Sequence, residues 1–270
     1  MKLSNALTIA SASDAGLVRT FNEDSVSVDE DLGLVVLADG MGGYKAGDVA
    51  AGMATMIVSN ELKDRIGDGK GHSNGTPIDN EIIRTAVGRA NQAIYHAAHN
   101  KAQFQGMGTT VVVALFHDDM ITIAHAGDSR MYRLRQDKLE QLTVDHSLLQ
   151  EQLQLGLITS EDARVSHNRN LVTRALGVNN NIAVDIKQER TVPGDIYLLC
   201  SDGLNDMVDD ADIELAMTAL KENIPLLVKQ LVIMANDNGG HDNISVAAIK
   251  VEKGFPARTG WLSRIFGAWR

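Results

Sequence analysis

Apolar residues fall into short runs and alternations in some stretches of the chain and into a three-to-four-residue spacing in others. The two periods predict strands and helices respectively. Ala6 to Ser13 predicts a short strand, followed by the polar segment SDAGLVRTFNEDS. Val26, Val28 and the unbroken run Leu34 to Ala38 resume the strand pattern, with Asp29 to Gly33 as the hairpin connection. From about Gly47 to Leu62, Val49, Met53, Met56 and Ile57 recur at helical spacing, the methionines reading as core filler. Gly67 to Pro77 reads as an exposed loop containing His72. A second helix, Asp79 to about Lys101, carries Ile82, Ile83, Ala86, Ala90, Ile94 and Ala97 on its apolar side. His96 and His99 on that helix lack a carboxylate or cysteine pattern and make a weak metal signal.

Gly108 to Phe116 and Met120 to Ala126 predict two strands joined through His117-Asp118-Asp119, and Met131 to Leu134 with Lys138 to Leu142 a further hairpin. Asp145-His146-Ser147 opens a helical stretch, and Thr159 to Asp162 begins another. The polar segment up to Gly177, with His167, Asn168, Arg169 and Arg174, reads as a mobile excursion at the rim of a site. Ala183 to Arg190 alternates as a strand, and Ile196 to Cys200 reads as a buried one. Ile213 to Lys221 and Pro225 to Asn236 are predicted helices, and Gly239 to Asn243 a tight turn into the last strand, Ile244 to Val251.

Several of these strands end on an acidic residue. In LVVLADGMGG, Leu34 to Gly43, the apolar run stops at Asp39, and glycine follows it. Taken alone, Asp39 caps a strand-to-helix turn. The same pattern recurs at Asp128 in GDSR, at Asp202 in CSDGL and at Asp242 in HDN, with Glu23 and Asp24 on the early polar loop. Oxygen-only donors without paired cysteines point to hard cations such as magnesium or manganese. Without cations, carboxylates brought this close would have to protonate in part.

Composition narrows the classes. At 270 residues and 44% hydrophobic, the chain is expected to form one domain over residues 1–252, with 253–270 as a basic, aromatic tail. A net charge of −10 argues against nucleic acid as a partner. The single cysteine, Cys200, forms no internal disulfide and fits a reducing compartment. The first residues, MKLSNALTIASASD, lack the apolar core of a signal peptide, and no run reaches the roughly 20 apolar residues of a membrane span. A cytoplasmic protein is expected. In the tail, Trp261, Ile265, Phe266 and Trp269 interleave with Arg258, Arg264 and Arg270, as an amphipathic helix for a membrane surface or partner would; fraying or packing back on the domain explains them equally well.

The ordered set RTFNED, VLADGMGG, GDSR, CSDGL and HDN, spread between about Thr8 and Val251, resembles the metal-dependent PPM (protein phosphatase 2C-like) Ser/Thr phosphatases of bacterial type. The resemblance implies an α+β fold, a central antiparallel β-sandwich flanked by helix pairs in four layers (αββα). It also implies a binuclear Mn2+ or Mg2+ site at one end. By the same resemblance Asp39 bridges both ions and the Gly40 carbonyl binds one of them. Asp202 and Asp242 bind the other, while Glu23 and Asp24 bind that ion or its waters. Asp128, with Asp202, holds a third, weaker ion, and Arg19 grips the substrate phosphate. The implied activity is hydrolysis of phosphoserine and phosphothreonine in proteins by a metal-activated water, opposing a Ser/Thr kinase, in a monomeric enzyme. The competing readings are a catalytically silent phosphoprotein-binding or sensor module and a phosphatase of small metabolites. Family members often place a histidine just after the DG motif to protonate the leaving oxygen. Met41 and Tyr44 stand there in this chain, which leaves a metal-bound water or His146 as the candidate acid.

Overall fold

The computed structural model describes residues 2–42, 46–67, 80–159 and 171–256. Tyr44, the loop with His72, the helix expected from Ser160, the excursion residues His167, Asn168 and Arg169, and the tail from Ala257 lie outside the described residues.

Eleven strands are described: β1 (Leu7–Asp14), β2 (Asp24–Asp29), β3 (Leu34–Met41), β4 (Gly108–Thr109), β5 (Val111–His117), β6 (Met120–Ala126), β7 (Arg130–Arg135), β8 (Lys138–Gln141), β9 (Asp185–Arg190), β10 (Ile196–Cys200) and β11 (Ile244–Val251). They form two sheets, β1-β11-β10-β7-β8 and β2-β3-β5-β6-β9, the short β4 pairing with β3. Every pairing between these strands is antiparallel. The β5–β6 connection is a two-residue turn in which Asp118 and Asp119 both take positive φ (51° and 58°), the geometry that matches the strands' twist.

The apolar runs are unbroken because both faces of these strands are covered. Along β3, Val35 and Leu37 enter the layer between the sheets with Val112, Phe116, Tyr197, Leu199, Ala247 and Ile249. Their neighbours Leu34, Val36 and Ala38 lie under α1 (Ala46–Gly67) and α2 (Asn80–Asn100). On the other side, Leu198, Cys200, Val246 and Ala248 pack under α5 (Asp210–Ala219) and α6 (Ile224–Asp237), named after the short helices α3 (Leu148–Gln154) and α4 (Asp202–Asn205). The layers run helix, sheet, sheet, helix, as expected.

The structure corrects the first helix. It continues to Gly67, and its buried stripe is Ala46, Ala50, Ala54, Val58 and Leu62, with Met56 at 56% exposure and Val49, Met53 and Ile57 only partly covered. Alanines face the sheet because α1 lies so close that its Gly47 abuts Gly40 of β3; a methyl on Gly40 would overlap the carbonyl oxygens of Gly47 and Glu23. Bulkier residues on that face would hold the helix off.

Candidate metal centre

The parity that builds the inter-sheet layer also builds its end. Asp24 follows the alternation of Val26, Asp39 that of Val35 and Leu37, Ser201 that of Tyr197 and Leu199, and Ser245 that of Ala247 and Ile249. Where apolar residues stop, the same inward positions carry carboxylates and hydroxyls. Ser201 Oγ donates to Asp24 Oδ2 at 2.8 Å and accepts from the Ser245 N–H at 2.9 Å. Asp24 therefore heads β2 as an inward-facing strand residue, where a short loop or irregular strand was expected.

Asp39 is held by its backbone. Its N–H donates to Thr110 Oγ1 at 3.0 Å, and its carbonyl accepts from the Thr110 N–H at 2.9 Å and from Thr109 Oγ1 at 2.8 Å. Thr110 Oγ1 in turn bonds Ser129 Oγ at 2.7 Å, which couples the Asp39 strand end to the turn carrying Asp128. Asn243 ties the third side together: Oδ1 accepts from the Glu23 N–H, and Nδ2 donates to the carbonyls of Ala15 and Phe21. Leu17 and Val18 donate their N–H groups to the Gly240 carbonyl, fixing the Arg19 loop to the turn of Asp242. Arg19 Nη2 then reaches Asp242 Oδ2 at 2.8 Å.

The structure thus brings Asp24, Asp39, Asp128, Asp202 and Asp242 within electrostatic reach of one another. Burial, reinforced by these mutual repulsions, holds Asp39 and Asp202 well above the usual carboxylate range. Burial is also the first cause for Asp24 and Asp128, both pushed up to about 6. Glu23 lies at the edge of this group: burial is the first cause that raises it, the Gly47 N–H and Arg19 oppose the rise, and Asp48 and Asp242 add to it. Asp206, which sequence reading missed, adds its charge to Asp128 and Asp202. One turn of helix, α4, brings it there from Asp202, and only a helix prediction at that point could have signalled it.

This arrangement fits divalent cations. Asp24 Oδ1 and Asp202 Oδ1 are buried without a hydrogen-bond partner, a cost that folding does not ordinarily leave in place. The donors are oxygens only, which selects hard ions. Among the described residues the one trio whose donor atoms all lie within 4.8 Å of one another is His125, His146 and Asp185. The carboxylates are therefore spread over a wider space, one that suits several ions better than a single one. The histidine trio fits a metal poorly: the two rings are stacked 4.7 Å apart with planes 5° from parallel, so their lone pairs do not meet. Arg174 Nη1 already stands 2.9 Å from His146 Nε2.

The same contacts remove His146 as the general acid. Its Nδ1 accepts from the Gly127 N–H at 3.1 Å and its Nε2 faces Asp185 Oδ2 at 3.3 Å, so neither nitrogen is offered to the carboxylate cluster. Cys200 is fully buried, and burial pushes its thiol up to about 12. His99 Nδ1 bonds the Tyr95 carbonyl one helical turn back.

Comparison with known proteins gives a consistent picture. The family model described as protein phosphatase 2C matches residues 18–231. A serine/threonine phosphatase stp of Listeria innocua is 37% identical over 240 residues, covering 88% of this chain and 93% of the relative. The crystal structure of the Mycobacterium tuberculosis serine/threonine phosphatase PstP/Ppp superposes with a TM-score of 0.79 at 35% identity, covering 92% of this chain and 99% of that one. A crystal structure of the PstP catalytic domain in complex with two manganese ions superposes with a TM-score of 0.77 at 35% identity and the same coverage.

Proposed function

Because the chain belongs to the protein phosphatase 2C family, we propose that it is a metal-dependent phosphatase removing phosphate from phosphoserine and phosphothreonine in proteins. The observation that carries this reading is the gathering of five aspartates, two with orphaned oxygens, at one end of the sandwich beside Arg19. Two Mn2+ or Mg2+ ions are the cofactors. In this reading Asp39, the Gly40 carbonyl, Asp202, Asp242 and the Glu23–Asp24 pair would hold them, with Asp128 and Asp202 for a third, weaker ion. When bound, such ions supply a water acidified toward neutral pH and positive charge beside the phosphoryl oxygens.

The chain's own residues do the rest. Arg19, tethered at Asp242 yet 54% exposed, offers a planar fork of N–H donors to an incoming phosphate. Thr109 and Thr110 hold the Asp39 backbone so that its carboxylate enters the site pre-positioned. Ser201 holds one oxygen of Asp24 and leaves the other for a cation. With Cys200 buried and protonated, no thiolate is offered for a covalent phosphoenzyme. With His146 turned away, Met41 lacking an acidic proton and a tyrosine such as Tyr44 ill-matched to acid work at neutral pH by its reference pKa of about 10, water is the proton source for the leaving oxygen.

Phosphoproteins are the substrates. The finer assignments belong to the same reading: a Ser/Thr kinase as the opposing partner, a monomer acting in the cytoplasm, a phosphatase domain over residues 1–252 and a tail that contacts a membrane surface or partner. No described helix is long and apolar enough to cross a membrane. Phe255, at the root of the tail, is buried with its ring 6.3 Å from that of Phe116, which packs that root on the domain. Hydrolysis of a phosphothreonine peptide with added Mn2+, with EDTA and with Asp39→Asn tests the function. Turnover that needs Mn2+ and disappears in both controls is expected. Mn2+ binding without turnover would favour a silent phosphoprotein-binding module, against which the retention of Asp39, Asp202 and Asp242 argues.

A further inference from the structure

We propose that His146 is a positioning residue whose imidazole clasps the Gly127 peptide and so aims Asp128 into the metal centre. The proposal rests on the metal role given to Asp128 above. The clasp is reciprocal: the His146 backbone N–H donates to the Gly127 carbonyl at 3.0 Å, and the Gly127 N–H donates back to His146 Nδ1 at 3.1 Å. Gly127 takes φ +115°, and a Cβ there would stand 2.6 Å from Thr110 Cβ, so the turn is pressed between Thr110 and His146. Asp128 and Ser129 follow at once, both buried.

The hydrogen bonds also fix the tautomer. An Nδ1 that accepts a backbone N–H carries no proton, so the neutral ring has its proton on Nε2. Asp185 Oδ2, 3.3 Å away, accepts the hydrogen bond from Nε2–H; Arg174 Nη1, 2.9 Å from Nε2, is then a second donor beside it and is held there by its bond to Asp185 Oδ1 at 2.8 Å. Burial, with His125 and Arg174 nearby, keeps the ring neutral. The His125 ring stacks on it and bonds the Val144 carbonyl at 2.9 Å, holding the backbone that leads into His146. The edge strand β9, through Asp185, is thereby connected to a metal-end carboxylate by one imidazole.

The test uses the full chain. Asn at position 146 can present Oδ1 to the Gly127 N–H; Leu cannot. Mn2+ binding is followed by electron paramagnetic resonance titration, and exchange of the Gly127 amide by NMR. In His146→Leu the weakest Mn2+ is expected to lose about tenfold in affinity and the Gly127 amide to exchange faster. His146→Asn is expected to restore most of both. In turnover of a phosphothreonine peptide, kcat is expected to fall in the Leu variant with KM little changed. Asp185→Ala, at a half-exposed residue, is expected to speed Gly127 exchange and weaken the same ion, which keeps the test open should the Leu variant not fold. Wild-type Mn2+ affinity in His146→Leu, or an Asn variant as impaired as Leu, overturns the positioning role. An unchanged Mn2+ titration in Asp128→Asn overturns the metal role of Asp128 and this proposal with it. Neither result depends on turnover, so a wild-type chain inactive on phosphopeptides counts against the function alone.

Discussion

Asp24 and Asp39 stand directly opposite each other on β2 and β3. The neighbouring pair, Glu23 and Gly40, is joined by a backbone hydrogen bond from the Gly40 N–H to the Glu23 carbonyl at 3.2 Å. The aspartates therefore form the adjoining non-hydrogen-bonded pair, in which side chains approach most closely. The charge of Asp24 is among the causes that raise Asp39. Like charges at such a position destabilise a sheet. A proton or a cation between them removes the penalty.

That relationship predicts a stability change in an inactive variant. Asp39→Asn is expected to raise the melting temperature of the EDTA-treated protein, each kcal/mol of relief being worth about 2–4 °C in a domain this size. The same variant is expected to lose more Mn2+ affinity than the roughly 10–100-fold that loss of an outer partner costs. Calorimetry with and without Mn2+ checks both. A metal-free variant less stable than wild type would contradict the repulsion argument.

A pH dependence follows with a definite sign. Asp24 and Asp128 titrate at about 6 in the folded, metal-free chain, against about 3.9 for an ordinary aspartate. Between about pH 4 and 6 the folded state holds protons that the unfolded chain has released, so these groups cost stability as pH rises through that window. Asp39 and Asp202, held well above the usual range, extend it upward. Mn2+ takes the place of those protons. The Mn2+-induced rise in melting temperature is therefore expected to be small at pH 5 and larger at pH 7.5; equal rises would refute it.

Gly40→Ala is expected to cost about 1–3 kcal/mol in a urea melt, the usual cost of overpacking, and to reduce Mn2+ binding. The added methyl meets backbone oxygens of Gly47 and Glu23, which have no rotamer to escape into.

Arg19→Ala is expected to lower kcat/KM on a phosphopeptide by about tenfold to a hundredfold, the worth of a charge-assisted bond of 1.5–3 kcal/mol. Mn2+ affinity of the same variant is expected to change less than kcat/KM, because Arg19 touches the metal centre only through its ion pair with Asp242.

Cys200 is expected to resist iodoacetamide in the folded protein, and Cys200→Ala to keep its turnover. The thiol is fully buried and pushed up to about 12, so almost no thiolate exists at neutral pH. Rapid alkylation accompanied by inhibition would place the thiol in an accessible site.

Period and punctuation alone determined most of the elements: β3, β5, β6, β10 and β11 lie where the apolar runs put them, and Asp128 and Asp202 follow strand ends legible as apolar-to-acidic breaks, whereas β3 runs on past Asp39 to Met41 and Asp242 stands in the turn before β11. These are local properties, since the alternation that sends Leu37 inward sends Asp39 inward as well. Which face of α1 is buried was decided by the tertiary structure, because closeness to β3 favours Ala50 and Ala54 over the larger Met53 and Met56. So were the different surroundings of Asp24 and Glu23, adjacent in sequence, the first heading β2 beside Ser201 and the second preceding it beside Gly47 of α1. The place of His146 is a third case. Its neighbours Gly127 and Asp185 are 19 and 39 residues away, and only the sheet and its turns bring them to the two nitrogens of one ring.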